Sequence, residues 1–262
     1  MEEDINILKF KFDSNMSIFT QSSRSTTELY FNEHFDELRQ RIFYILGFLC
    51  FFTSITFYKV KLIVKILEDP VSNIQFFQFS PGEYFISTLI ISFSIGVLFS
   101  TPLLLSQLLF FFRPALNKSE QNSIFWLLLS SILLFFLGLL FSYFLLIPAA
   151  LNFFIFYASE VIEPLWSFNQ YCNFVSALFF STGLVFQVPI VQIILSLLKI
   201  IDPIKMFNYW RPMILFSTIL GAVLTPSADP ITQMLLSSAL FLLYFLGSLA
   251  SINLIKNQPI NV

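Results

Sequence analysis

The chain has 262 residues, of which 56% are apolar and 11% charged, with a formal net charge of -2. Soluble domains carry roughly 25% charged residues, so this chain cannot cover a water-facing surface. The composition excludes a soluble enzyme, a disordered protein and a nucleic-acid binder, and leaves a polytopic α-helical membrane protein.

The first fifteen residues are polar and mixed in charge (MEEDINILKFKFDSN). They lack the basic-then-apolar order of a secretory signal and the Arg-rich, acid-poor character of a transit peptide. The expectation is synthesis in the compartment whose membrane the chain enters. The Phe, Leu and Ile bias, with Lys exceeding Arg, is what an AT-rich genome such as a plastid one yields. Residues 1–26 are expected to form a polar tail, 27–255 a single membrane domain and 256–262 a second tail.

Ahead of the first span, Phe31, Phe35, Leu38 and Ile42 fall on one helical face. Ser25 and Glu28 have the spacing of a capping box that would start this helix. It is expected to lie in the interface, with Glu33, Asp36, Glu37, Arg39 and Arg41 facing water. His34 in this stretch reads as a surface residue.

A bilayer core of about 30 Å needs roughly 20 apolar helical residues. Six spans are predicted, at about 42–58, 84–112, 124–147, 172–198, 213–224 and 231–252. None contains an Asp, Glu, Lys, Arg or His. After the first span, Lys61 to Leu67 reads as a short interfacial helix stopped by Glu68-Asp69-Pro70. Ser80, Pro81 and Glu83 then occupy N-cap, N1 and N3 positions for the second span. Pro102 and Pro189 fall inside the second and fourth spans, and Pro148 ends the third. The fifth span has only about a dozen residues, about 18 Å of helix. It and the sixth read as a short hairpin turned at Thr225–Pro230. A re-entrant loop is the alternative, which would leave five spans and move the C-terminus across the membrane. Cys50 and Cys172 sit in apolar runs without a CxxC, and read as buried free thiols.

With six spans, eleven of the fourteen basic residues fall on one side and only Lys59, Lys61 and Lys65 on the other. By the positive-inside rule both termini face the side of synthesis.

The sequence has no HExxH, no GxSxG, no phosphate-binding glycine loop and no His or Cys cluster. The charge-free spans also count against an intramembrane protease, a pump or an ion-coupled transporter. What remains is a non-enzymatic scaffold, without cofactor or metal, carrying acidic surfaces beside the membrane. Glu37 lies among basic residues, and Glu120 ends the short loop Arg113 to Glu120. A carboxylate in either place could bind guanidinium through paired charge-assisted bonds. For Glu120 the residues alone favour a helix-start charge interacting with a dipole, and the guanidinium-binding role is the alternative. Gln187 lies mid-span, two residues before Pro189, and must find a partner inside the protein. An interhelical hydrogen bond of about 1 kcal/mol is the reading the residues favour, and a polar dent usable by a translocating chain is the alternative. Gln107 and Gln192 have the same two readings.

Several segments resemble the TatC family, the polytopic core subunit of the twin-arginine protein translocase. They are HFDELRQR (34–41), SPGEYF (80–85), TPLLLSQLLFFFRPALNKSE (101–120), FLGLLFSYFLLIPAALNFF (136–154), GLVFQVPI (183–190), Arg211-Pro212 and LTPSADPITQ (224–233). Each motif is weak alone, but the ordered set covers about residues 30–250 and is specific. The TPSADP form is most similar to plastid and cyanobacterial members.

The resemblance implies an all-α fold of six transmembrane helices in a curved bundle, short fifth and sixth helices, and both termini in the stroma or cytoplasm. It implies a receptor for the Arg-Arg signal peptide of folded cargo. That receptor would assemble with single-span subunits of the TatA and TatB type, and with further copies of itself, into a site driven by the proton gradient without ATP. Glu37 and Glu120 would bind the signal, with Arg39 in the same lead-in motif. The family's polar position in the fourth helix maps to Gln187. Many bacterial members have Glu there, so a hydrogen-bonding role carries over and a protonation role does not. The expected location is a plastid thylakoid membrane, with a bacterial or cyanobacterial membrane as the alternative. A small-solute channel or uniporter is the competing function; it would need a continuous water path through the bundle.

Overall fold

A computed structural model describes residues 36, 38–68, 76–112, 123–158, 166–226 and 229–256. Contacts divide the chain into two units, Met1–Gly47 and Phe48–Val262, the division falling within the first helix.

The described residues are almost wholly helical. In chain order they form α1 (Leu38–Tyr58), α2 (Val60–Glu68), β1 (Phe76–Phe77), α3 (Glu83–Phe112), α4 (Ser123–Phe141), a π-helical turn (Ser142–Leu146) and α5 (Ile147–Ala158). These are followed by β2 (Trp166–Ser167), α6 (Phe168–Val185), α7 (Val188–Leu197), α8 (Pro203–Asn208), α9 (Trp210–Leu224) and α10 (Pro230–Lys256). Five helical runs are long and apolar enough to cross a membrane: Leu38–Tyr58, Glu83–Phe111, Ile124–Tyr157, Phe168–Leu197 and Pro230–Leu254. α9 is a sixth, shorter apolar helix of 15 residues, about 22 Å long.

The third run departs from expectation, because Pro148 does not end it. Ile147 N–H donates to the Ser142 carbonyl, five residues back. This wide turn shifts the hydrogen-bond ladder ahead of the proline, so its ring enters without the clash that normally breaks a helix. The run therefore reaches Tyr157 and is 34 residues long, about 50 Å. The fourth run starts at Phe168 rather than Cys172, because Ser167 is its N-cap and accepts from Gln170 N–H. α9 begins before Pro212, which falls in the first turn, where a missing N–H costs nothing. α10, expected to be short like α9, has 27 residues. Asp229 starts it by accepting from Thr232 N–H at 2.9 Å, with Pro230 at the first helical position. Cys172 is buried, but Cys50 is exposed. It lies on α1, most of whose side chains are exposed, so its thiol is not part of a core.

The apolar core is built where these helices meet. One cluster joins Val64 and Leu67 of α2, Ile91 of α3, Ile147 and Leu151 of α5, and Val175 and Leu178 of α6. A second joins Leu146, Val185, Leu236 and Leu240, with α9 packed on it through Met213, Leu220 and Leu224.

The segments between spans are tied together at one end of the bundle. β1 and β2 pair in parallel, Phe76 opposite Trp166 and Phe77 opposite Ser167. The buried Glu83 carboxylate accepts from Phe79 N–H at 2.6 Å and Ser80 N–H at 3.3 Å, and from the Ser167 hydroxyl. One side chain thus caps α3 and holds the N-cap of α6, 84 residues away. The carbonyls of Ile66 and Leu67, at the open end of α2, accept from Tyr143 Oη at 3.0 Å and Tyr171 Oη at 2.5 Å. These bonds satisfy helix-end acceptors that would otherwise be orphaned.

Candidate functional site

Glu37 and Glu120, the acids expected to bind a cationic peptide, lie outside the described residues. So do His34, Ser25, Glu28, Phe31 and Phe35 of the lead-in stretch. Within the first unit, Arg39 is helical and exposed, with Nη1 4.0 Å from Asp36 Oδ1. Gln40 Nε2 donates to Tyr44 Oη at 3.5 Å.

Gln187 is described in full, and it sits at a break in the fourth run. Pro189 has no N–H to give, so regular bonding cannot pass through it. α6 ends with Phe186 N–H donating to Thr182 O, and Gln187 N–H donates to Leu184 O, each at 3.0 Å. Gln187 is then the N-cap of α7, and its carbonyl accepts from Ile190 N–H at 3.0 Å and Val191 N–H at 3.1 Å. The break turns the Gln187 side chain toward α4. There Ser131 Oγ donates to Gln187 Oε1 at 2.7 Å, and Gln187 Nε2 donates to Ser131 O at 3.1 Å. Both residues are buried, at 7% and 1% exposure.

Two glycines permit this reach. A Cβ at Gly138 would lie 3.0 Å from Thr182 O and from the Phe186 ring, and one at Gly183 would lie 2.7 Å from the Phe135 ring. The backbones of α4 and α6 can approach only because those Cβ atoms are absent. The site therefore offers a satisfied amide–hydroxyl pair at a helix break. It can exchange hydrogen bonds, and it holds no group that titrates near neutral pH.

One turn further along α7, Gln192 is 4% exposed. Neither atom of its amide, nor the neighbouring Ser196 hydroxyl, has a hydrogen-bond partner among the described residues. Gln192 faces Gly247 of α10, where a Cβ would lie 2.0 Å from Gln192 Oε1 and 2.7 Å from Pro189 Cα. Gln107 is half-buried in α3.

Sequence reasoning identified Gln187 as a group needing a partner, but not Ser131 as that partner. Hydroxyls recur through the third run without a period that singles one out. It read Glu83 as a helix-start residue and missed the bond to Ser167, since no local spacing relates residues 84 apart. It also missed the two tyrosines that hold α2.

Residues 33–238 match the protein family described as TatC, Sec-independent protein translocase protein. The chain is 55% identical over 239 residues to the uncharacterized tatC-like protein ycf43 of Trieres chinensis, covering 91% of this chain and 90% of that one. It is 44% identical to the Sec-independent protein translocase protein TatC of Synechocystis, over 82% of this chain and 85% of the relative. It is 43% identical to the chloroplastic TATC of Pisum sativum, over 90% of this chain and 64% of the relative. Among solved structures, the fold is similar to that of the twin arginine translocase receptor TatC crystallised in DDM. The TM-score is 0.73 at 31% identity, covering 83% of this chain and 99% of the other.

Proposed function

This chain belongs to the TatC family of Sec-independent protein translocase proteins, and on that premise we propose that it is the signal-peptide receptor of a twin-arginine translocase. It is a multi-pass membrane protein whose family works in protein translocation rather than in catalysis. The observation that carries the reading is the likeness, over nearly the whole length of the solved chain, to the twin arginine translocase receptor TatC.

In this reading Glu37 and Glu120 sit at the membrane face on the side of synthesis and receive the paired guanidinium groups of a signal peptide. Arg39 belongs to the same signal-binding motif as Glu37. The apolar part of the signal peptide then follows the wall of the bundle, where the Gln187 amide ties the fourth run to α4 through Ser131. Single-span subunits of the TatA and TatB type complete the translocation site, with other copies of this chain. The proton gradient drives transport. The distribution of basic residues supports both termini on the synthesis side. The chloroplastic relative supports a plastid membrane, and the thylakoid is the location this reading assigns.

The test is crosslinking of a labelled signal peptide to membranes carrying the Glu120→Ala chain. A bidentate carboxylate–guanidinium contact predicts a much larger loss for an Arg-Arg peptide than for a Lys-Lys peptide. Equal losses for the two peptides would remove the bidentate contact from the proposal.

A further inference from the structure

The segment from Leu198 to Arg211, which joins α7 to α9, carries a surface that the receptor reading does not use. α7 closes in a Schellman-type turn, with Lys199 N–H donating to Ser196 O and Ile200 N–H to Leu195 O, each at 3.0 Å. Lys199 has φ 56°, and it is the only non-glycine residue with positive φ among those described. Glycine is the usual occupant of that position. Here a lysine takes the disfavoured backbone and holds an exposed cation at the helix end. The hydrophobic residue after such a turn normally folds back onto the helix. Ile200 does not, being 64% exposed.

α8 is fastened to α10, so the segment presents a fixed outer face. Met206 is buried, its carbonyl accepts from Tyr244 Oη at 2.8 Å, and the Phe207 ring lies 5.1 Å from that of Phe245. Ile200, Ile204 and Trp210 stay exposed, interleaved with the exposed bases Lys199, Lys205 and Arg211. Asp202 is the one acid of the segment. It is engaged by Lys205, Oδ2 to Nζ 3.0 Å, and this bond raises the lysine pKa above its ordinary value. The Arg211 guanidinium lies 5.3 Å from the Trp210 ring. No carboxylate among the described residues forms an ion pair with Lys199 or Arg211.

The segment joins a run long enough to cross the membrane to the shorter apolar helix α9, which puts it at a membrane surface. Exposed isoleucines and a tryptophan beside unpaired bases match the acyl boundary and the charge of anionic headgroups at that depth. We propose that residues 199–211 form a docking surface for anionic lipids. Ile200, Ile204 and Trp210 enter the acyl boundary, while Lys199 and Arg211 receive the headgroup's charged oxygens. The proposal is independent of signal-peptide binding.

The test uses the full chain with Trp126→Phe and Trp166→Phe, so that Trp210 is the only tryptophan of the three. It is reconstituted in phosphatidylcholine bilayers containing brominated phosphatidylglycerol or, separately, brominated phosphatidylcholine at equal mole fraction. Each unpaired base should multiply the preference for anionic lipid roughly fivefold. Trp210 quenching should therefore favour brominated phosphatidylglycerol, and the preference should vanish in the Lys199→Gln, Arg211→Gln chain. Lys199→Gly relaxes the backbone, so it should fold at least as well and still lose about fivefold in preference. Equal quenching by the two lipids in the chain with all its bases would overturn the proposal. A preference that survives removal of both bases would overturn it too.

Discussion

The packing of the fourth run rests on single atoms, and glycine substitutions expose them. At Gly247 an added Cβ would meet Gln192 Oε1 at 2.0 Å and the Pro189 backbone at 2.7 Å. A backbone atom cannot step aside, so Gly247→Ala should cost about 1–3 kcal/mol and lower the melting temperature in detergent. At Gly47, within the helix of the first unit, nothing among the described residues lies within 4 Å of the added atom. Gly47→Ala should therefore leave stability unchanged or raise it by up to about 1 kcal/mol. The same melts would refute this account of the α7–α10 contact if both variants behaved alike. The Gln187–Ser131 pair predicts a coupling. Ser131→Ala strands the Gln187 carbonyl oxygen and should cost about 1 kcal/mol, whereas the double variant with Gln187→Leu should cost less than the sum of the singles. Strict additivity would mean that the two side chains do not support each other. Gln187 was legible in the sequence because an amide in an apolar run has to be satisfied. Ser131 was not, because partner choice follows from where Gly138 and Gly183 let two helices touch.

Elements show how the same residue type can have different outcomes. Pro189 breaks the fourth run, while Pro148 is carried inside a helix by a π turn. Hydropathy located both runs, but only the hydrogen-bond ladder distinguishes the prolines. The helix after the first span was legible from Lys61 to Leu67, bounded by Glu68-Asp69-Pro70, and the structure places it at Val60–Glu68. Its fastening was not legible, since it depends on Tyr143 and Tyr171 reaching carbonyls 77 and 104 residues away. Replacing both tyrosines by Phe should remove about 1 kcal/mol each. Hydrogen exchange should then rise in α2 and leave α9 unaffected. In the same way, Ser167→Ala should loosen the β1–β2 pairing, read as faster exchange at Phe77 and Trp166. Unchanged protection there would mean that Glu83 serves only its own helix.

At the level of the whole molecule, hydropathy and charge-free runs were enough to give an all-helical membrane protein with a short fifth helix. The lengths needed the structure. The third run extends to about 50 Å, while α9 covers about 22 Å, and α10 is long enough to span. Any local thinning of the bilayer is therefore expected beside α9 rather than beside the last two helices together. Electron microscopy of the protein in nanodiscs should find the thinnest bilayer there, and a uniform thickness around the protein would remove that idea. The family assignment rests on matches that run through most of the chain, whereas the proposed receptor role requires two carboxylates, Glu37 and Glu120, to meet the signal peptide. Photoreactive residues placed at positions 37 and 120 test that role most directly. The account predicts that both crosslink an Arg-Arg signal peptide and that excess unlabelled Arg-Arg peptide suppresses the products. Crosslinking from a control at position 61, with none from 37 or 120, would contradict it.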